Sequence, residues 1–468
     1  MTFHSVEFLV FFIVVYTLYL VLKHHWQNRL LIIASCSFYA AWNWKFLALM
    51  FVSITTDYLC AQQIDRVQQR NIKKCFLVLS IVVNLIILGF FKYFNFFSAN
   101  AVDLLNTFHL FSSPVKFSLN IILPLGISFY TFEAISYVVD VYRRQIKPTQ
   151  RYWDYVLFVI YFPHLIAGPI MRAKSFLPQI TTPRIVTWNS FYEGCYLFFW
   201  GLFEKIFVAD NLAKLVNPIF AAQAPYEGAT VLVALYAFAF QIFCDFDGYS
   251  NMARGLGLCM GFDITINFKL PYFAVNPREF WQRWHISLST WFRDYVYIPL
   301  GGNRHGEVQM YRALLLTMLL GGLWHGAAWT FVLWGFYQGL LLTIHRLWTR
   351  RFVVQTSKRS IFKVIVFFHL VVLGWLFFRA QSMGQIIQML QALMFQFRFR
   401  VEDILLWLKL AVFITPLLVV QIWQAKAGDL MVLYKQHWLL KTAIYAFMTY
   451  LLIGWGIMKA EEFIYFQF

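Results

Sequence analysis

The sequence predicts an all-α protein that crosses a membrane many times. Hydrophobic residues make up 60% of its 468 positions and charged residues 13%, against about 45–50% and about 25% in soluble domains. A water-soluble enzyme cannot hide that much apolar surface. Aromatic residues reach 20%, which excludes a disordered chain, because disorder goes with few aromatics. The apolar residues come in runs near the roughly 20 residues that cross a bilayer as a helix, and the length allows about ten to thirteen crossings. No internal repeat or low-complexity linker divides the chain, so one membrane-embedded domain over residues 1–468 is expected.

The net charge is +17, from 39 Lys and Arg against 22 Asp and Glu. In a soluble protein that excess points to nucleic acid, but no basic face or nucleic-acid motif accompanies it. In a membrane protein it is the bias of cytoplasmic loops toward Lys and Arg. The expected surroundings are membrane lipids, with no nucleic acid.

The elements follow in order. Residues 1–22 form the first span. They have no basic n-region and no A-x-A cleavage site, so they are not a cleaved signal. Lys23 and Arg29 then mark an inside loop. Residues 30–60 are apolar but broken at Asn43, and Arg66, Arg70, Lys73 and Lys74 mark the inside again, which requires a short hairpin. Residues 76–94 lead out, 95–119 lie outside, and 121–142 return to Arg143, Arg144, Lys147 and Arg151. Residues 153–170 hold two prolines, a histidine and a glycine between basic flanks, as a re-entrant or broken helix would. Residues 191–208 and 231–243 bracket a proline-containing outside loop. Residues 245–312 contain no clear span and read as a cytoplasm-facing layer of interfacial and re-entrant pieces. Spans at 313–348, 362–378, 404–423 and 444–458 complete the series. Arg346, Arg350, Arg351, Lys358 and Arg359 mark one more inside loop, and Glu461 and Glu462 an outside tail.

The stretch 313–345 has inside flanks at both ends. It extends only about 50 Å as a helix, too little for two full crossings of a roughly 30 Å core. A broken or short helix pair is expected there, around Gly321-Gly322 and His325.

Few residues in these spans can carry chemistry. His325, in GGLWHGAAWTFVLWG, has no charged residue between 313 and 343. A titratable group at membrane depth is expensive and by default functional, and a histidine there suits general base catalysis. The alternative is a neutral imidazole bonded to a nearby carbonyl. His285 lies in FWQRWHISLSTWFRDYVYIPLGG. Trp281, Trp284, Leu288, Trp291, Tyr295 and Ile298 recur there at helical spacing, which predicts one amphipathic helix with an aromatic stripe. Gln282, His285, Ser289 and Arg293 form a column at its edge. Two readings stay open: an interfacial helix on the inner leaflet, or the wall of a vestibule where Arg278, Arg283 and Arg293 attract a polyanion. His164 is a further candidate in a broken segment. His24, His25, His109, His305, His345, His369 and His437 read as loop, interface or packed residues.

Other signals are weaker. Asp245 and Asp247 do not have calcium-loop spacing, and Gly255, Gly257 and Gly261 lack the dinucleotide fingerprint, so the glycines point to tight packing. The six cysteines contain no C-x-x-C pair, so no metal site is expected; they read as small buried hydrophobes. The scarcity of intramembrane acids, Glu133 and Asp140 among few, argues against a proton-coupled transporter.

The motifs CDFDGYSNMARGLGLCMGF, WHISLSTWFRDYVYIPLGGNR and GGLWHGAAWTFVLWG, with LPLGISFYTFEAISYVVDVYR and FPHLIAGPIMR, resemble the membrane-bound O-acyltransferase family, in its alginate O-acetyltransferase branch. The similarity is densest from about residue 120 to 345. Asp247 stands where the branch has Ser, and Glu133 where it has Gln. The resemblance implies about eleven transmembrane helices, with re-entrant and interfacial helices around a central tunnel. It places the family's histidines at His325 and His285. The implied donor is acetyl-CoA, with no resident cofactor. Arg278, Arg283, Arg293, Arg304, Trp281, Trp284 and Asn303 would bind that donor. Trp324, Gly326, Trp329, Ser289 and His164 would line the tunnel. His325 would act as base or as transient acyl carrier. The acceptor would be an extracytoplasmic polysaccharide of alginate, cellulose or peptidoglycan type, reached through a periplasmic acetyltransferase or other polymer-modifying protein, and the location the bacterial inner membrane. Alternatives are D-alanyl transfer to teichoic acid, acylation of a lipid or protein, and a polysaccharide or lipid translocator without chemistry.

Overall fold

The computed structural model describes residues 1–108, 118–166, 168–351, 360–457 and 463–464, and no strand occurs among them. His109, Lys358, Arg359, Glu461 and Glu462 lie outside the described residues.

Helices α1 (Val6–Val21), α2 (His24–Asn43) and α3 (Lys45–Arg66) come first, and the expected break near Asn43 falls at Trp44. α4 (Arg70–Leu88) continues through a π-helical turn, Gly89–Tyr93, into α5 (Phe94–Thr107), giving one stretch of 38 residues. The span therefore does not stop at residue 94. Asn95, which made the sequence look polar there, bonds the backbone N–H and C=O of Leu119. α6 (Ile127–Tyr142) precedes α7 (Tyr152–Ile160), α8 (Phe162–Leu165) and α9 (Ala173–Thr181). α7 and α8 are the halves of the expected broken segment. α8 is wholly buried, and so is α7 from Asp154 on, as irregular backbone in a membrane must be.

α10 (Trp188–Leu202) runs through a second π-helical turn, Phe203–Ala209, into α11 (Asp210–Ala221), where the sequence reads a loop. α12 (Gly228–Cys259) is 32 residues long. Residues 245–259 thus continue a buried helix and are not part of an interfacial layer. The run seemed to end at Asp245, but Lys205 Nζ stands 2.7 Å from Asp245 Oδ1 and 2.7 Å from Asp210 Oδ1, neutralising the charge internally. α10 and α12 pack antiparallel at two glycine pairs. A Cβ on Gly201 would lie 2.3 Å from Gly248 O, and one on Gly194 would lie 2.6 Å from Gly255 O. Small residues let membrane helices approach this closely, so the glycines serve packing as expected.

α13 (Pro277–Trp281) and α14 (Ile286–Phe292) replace the single amphipathic helix that the 3.6-residue period predicts. His285 interrupts it with a left-handed backbone, φ 42°, which no periodicity encodes. α15 (Gly306–His325) and α16 (Trp329–Arg351) resolve the short-pair arithmetic. They extend beyond 313–345 at both ends, and their 20 and 23 residues make about 30 and 35 Å, each enough for one crossing. The break falls directly after His325, and Gly321-Gly322 stays helical. α17 (Ile361–Arg379), α18 (Met383–Phe395), α19 (Val401–Ala427) and α20 (Trp438–Trp455) complete the order; α18 has no counterpart among the expected spans.

Two further expectations change. Cys75 and Cys195 are exposed and Cys36 is half-buried, because apolar runs in a membrane protein also face lipid. Buried acids are more numerous than the sequence indicates. Asp57, Glu204, Asp210 and Asp245 join Glu133 and Asp140 in the interior, so acid scarcity is no argument against transport.

Candidate functional site

His285 is fully buried, in a backbone conformation that costs a non-glycine residue about 1–3 kcal/mol. The neighbouring backbone holds it there: Lys269 N donates to Arg283 O and Ile286 N donates to Asn267 O, both at 2.9 Å. Asn267 sets the ring. Its Oδ1 accepts from Ser287 N at 3.2 Å and from Ser287 Oγ at 2.9 Å, and lies 3.2 Å from His285 Nδ1. A backbone N–H only donates, so this atom is the amide's oxygen and Nδ1 carries the proton. Nε2 is then the basic nitrogen of the neutral ring, and it has no hydrogen-bond partner among the described residues. Phe246 packs edge-on against the ring at 4.5 Å. Phe463 lies behind Phe246 at 5.7 Å, and Ile464 N donates to Asp245 Oδ2 at 2.7 Å.

His325 ends α15 with a buried side chain. Rings that meet its imidazole include Trp324 and Trp334 at 5.0 Å and Phe378 at 5.2 Å. Trp324 also faces His285 at 6.1 Å, so one indole adjoins both imidazoles. Phe132 backs that indole at 5.4 Å and stacks on Trp291 at 3.7 Å. Part of the aromatic excess therefore surrounds the two histidines.

Two cavities lie near this pair, one reaching His325 and the other reaching Trp324. One, of 190 Å³, is lined by His325, Trp281, Ser289, Arg293 and Trp334 among others. It shares Tyr297, Leu314 and Leu342 with a wider cavity of 870 Å³, lined by Arg278, Asn303, His345, Arg346 and Arg350. Arg350 pairs with Glu307; Arg278 and Arg346 have no ion pair among the described residues. The other cavity, of 60 Å³, is lined by Trp324 with Lys92, Ser128, Phe129 and Ile166.

The candidates thus separate. His285, His325, Trp324, Trp281, Ser289, Arg293, Arg278 and Asn303 come together. Others do not. Arg283 is tied to Glu279 at 2.7 Å, and Arg304 is exposed and lines neither cavity of the basic side. Trp284 is core, stacked on Phe280 at 5.6 Å and packed on Trp375 at 4.9 Å. Gly326 leaves no space for a ligand: a Cβ there would lie 2.1 Å from Phe331 Cε2. Trp329 is 57% exposed and donates to Asn100 Oδ1 at 2.8 Å. His164 packs on Phe176, with Nε2 3.3 Å from Glu133 Oε2, so the departure from Gln at 133 serves as its partner. Sequence reasoning missed Asn267, Lys92, Arg346 and Phe378. Arg346 and Lys92 had a signal, their charge: that of Arg346 reads as topology, and Lys92 stands inside the expected span 76–94.

A helical membrane protein with two buried histidines about one indole, one of them reached by a cavity with a basic mouth, matches one class. The model of the membrane-bound O-acyltransferase family matches residues 79–384, and the chain belongs to that family and is an acyltransferase. The match runs past residue 345 to include Trp375 and Phe378, which wall the chamber. The chain is 45% identical over 403 residues to a probable alginate O-acetylase AlgI of Pseudomonas aeruginosa, covering 85% of this chain and 75% of that one. It is 36% identical over 409 residues to a peptidoglycan O-acetyltransferase of Helicobacter pylori, covering 80% and 76%. A teichoic acid D-alanyltransferase of Bacillus subtilis is 28% identical over 277 residues, covering 55% and 69%. An O-acetyltransferase role fits these relatives.

Proposed function

We propose that the chain takes an acetyl group from acetyl-CoA on the cytoplasmic side of the bacterial inner membrane and passes it through the chamber toward an extracytoplasmic polysaccharide. The observation that carries this reading is a cavity that reaches His325 and shares walls with a basic mouth, with a second cavity at the adjoining Trp324, whose indole also faces His285. The basic side suits the donor. Arg278 and Arg346 line its wide mouth and would meet the CoA phosphates, while the narrower throat toward His325 would take the acetyl thioester. The small cavity at Trp324 has no arginine in its lining, and its one basic side chain, Lys92, is turned to the carbonyls of Trp324 and His325, which suits a neutral hydroxyl acceptor or a partner's acyl carrier. His285 Nε2 is the base with a free lone pair. His325 stands at the end of the throat, where the acyl group would arrive. A periplasmic acetyltransferase or other polymer-modifying protein would receive the group and deliver it to alginate, cellulose or peptidoglycan.

The test is acetyl transfer from labelled acetyl-CoA in proteoliposomes with the partner supplied. His325→Ala should abolish transfer, and His285→Ala should lower it by about 10²- to 10⁴-fold, the usual contribution of a general base, with unchanged expression. Full activity in His325→Ala, or transfer from a D-alanyl donor instead, overturns the reading.

A further inference from the structure

The last four carbonyls of an α-helix have no partner inside it. In α15 those carbonyls belong to the turn that presents His325, and two consecutive residues of another helix take three of them. Tyr93 Oη donates to Leu323 O at 2.9 Å. Lys92 Nζ donates to Trp324 O at 2.5 Å and to His325 O at 3.2 Å. Both come from the π-helical turn Gly89–Tyr93, the kind of interruption that long helices keep mainly at functional sites. Lys92 Nζ also reaches Ser128 Oγ at 3.4 Å. These bonds direct Nζ onto the end of α15, 5.6 Å from the Trp324 ring. Beyond His325 the chain turns extended at Gly326, φ −160° and ψ 151°, so no following helical turn holds this end in place.

We propose that Lys92 and Tyr93 are positioning residues, which clamp the end of α15 so that His325 and Trp324 keep one orientation between the two cavities. The proposal rests on the role given to His325 above. Lys92 acts through the backbone of the two residues and touches no reacting atom. Without the clamp the last turn frays, as unrestrained helix ends do, and the imidazole loses its fixed place at the end of the throat.

The test uses the full-length protein in proteoliposomes and three readouts: kcat and donor KM for acetyl transfer, the rate of His325 modification by diethyl pyrocarbonate followed by peptide mass spectrometry, and the melting temperature. Lys92→Met should lower kcat at least tenfold, leave donor KM unchanged and raise His325 labelling severalfold. Tyr93→Phe should move both in the same direction by twofold to threefold; it decides the matter if Lys92→Met fails to fold. Unchanged kcat and labelling in both variants overturn the clamp. If the wild type transfers no acetyl group, the functional reading fails and the labelling rates alone still decide the clamp.

Discussion

The ion cluster at Lys205 and the chamber at His285 place polar groups at similar depth and treat them in opposite ways. Lys205 sits between Asp210 and Asp245, at 2.7 Å from each, behind helices joined by glycine pairs. His285 has its Nδ1 satisfied by Asn267 and its Nε2 left without a partner among the described residues. Removing polar groups from water is costly in both places. The first region pairs its cation with both carboxylates and becomes scaffold. The second holds one nitrogen and leaves the other open, beside an indole shared with His325. Burial alone therefore does not mark a site in this protein; an open basic nitrogen beside a second histidine does.

Three substitutions can break or sharpen that contrast. The largest effect is expected at the scaffold. Lys205→Met strands two buried carboxylates and should cost about 3–5 kcal/mol of stability, read as a lowered melting temperature in detergent. Adding Asp210→Asn and Asp245→Asn should recover most of it. A loss confined to activity, with melting unchanged, would make the cluster functional and erase the distinction. Next, Asn267→Ala leaves Nδ1–H of His285 unsatisfied, a loss of about 1–3 kcal/mol, which in a barrier is roughly fivefold to a hundredfold in kcat. Donor KM should hold; a KM effect alone would place Asn267 in donor binding. The smallest effect belongs to the basic mouth. Arg346→Ala should raise donor KM severalfold at low salt, an effect of about 1 kcal/mol or less that added salt screens, while Arg304→Ala, outside that cavity, should change nothing. Equal effects of the two would dissolve the mouth as a distinct binding surface.

The contrast also explains what was legible in the sequence. Composition and run length were enough for an all-α membrane fold, and the uncharged setting of His325 was enough to single it out. The prolines and glycine of residues 153–170 announced a broken segment, which α7 and α8 realise. The rest depended on contacts distant in sequence. Residues 245–259 looked interfacial because their compensating cation, Lys205, lies 40 positions away and forms its pair only in three dimensions. His285 looked like one position on a helical stripe, because its left-handed backbone is imposed by residues 267–269. Arg283, Arg304, Trp284, Gly326, Trp329 and His164 had suitable chemistry and neighbouring positions in the chain. Their side chains meet other partners, which spacing alone cannot reveal. Lys92 lies unremarked inside the expected span 76–94 until α15 is placed beside it.

Phe463 and Ile464 have a consequence for how the protein is made. They close the wall behind Phe246 and His285, with Ile464 N anchored on Asp245. The ribosome delivers them after all of α1 to α20. During synthesis there is therefore an interval in which every described helix has been made while the His285 side of the chamber still lacks its backing. The fold thereby makes the chamber wall depend on residues that follow the last described long helix.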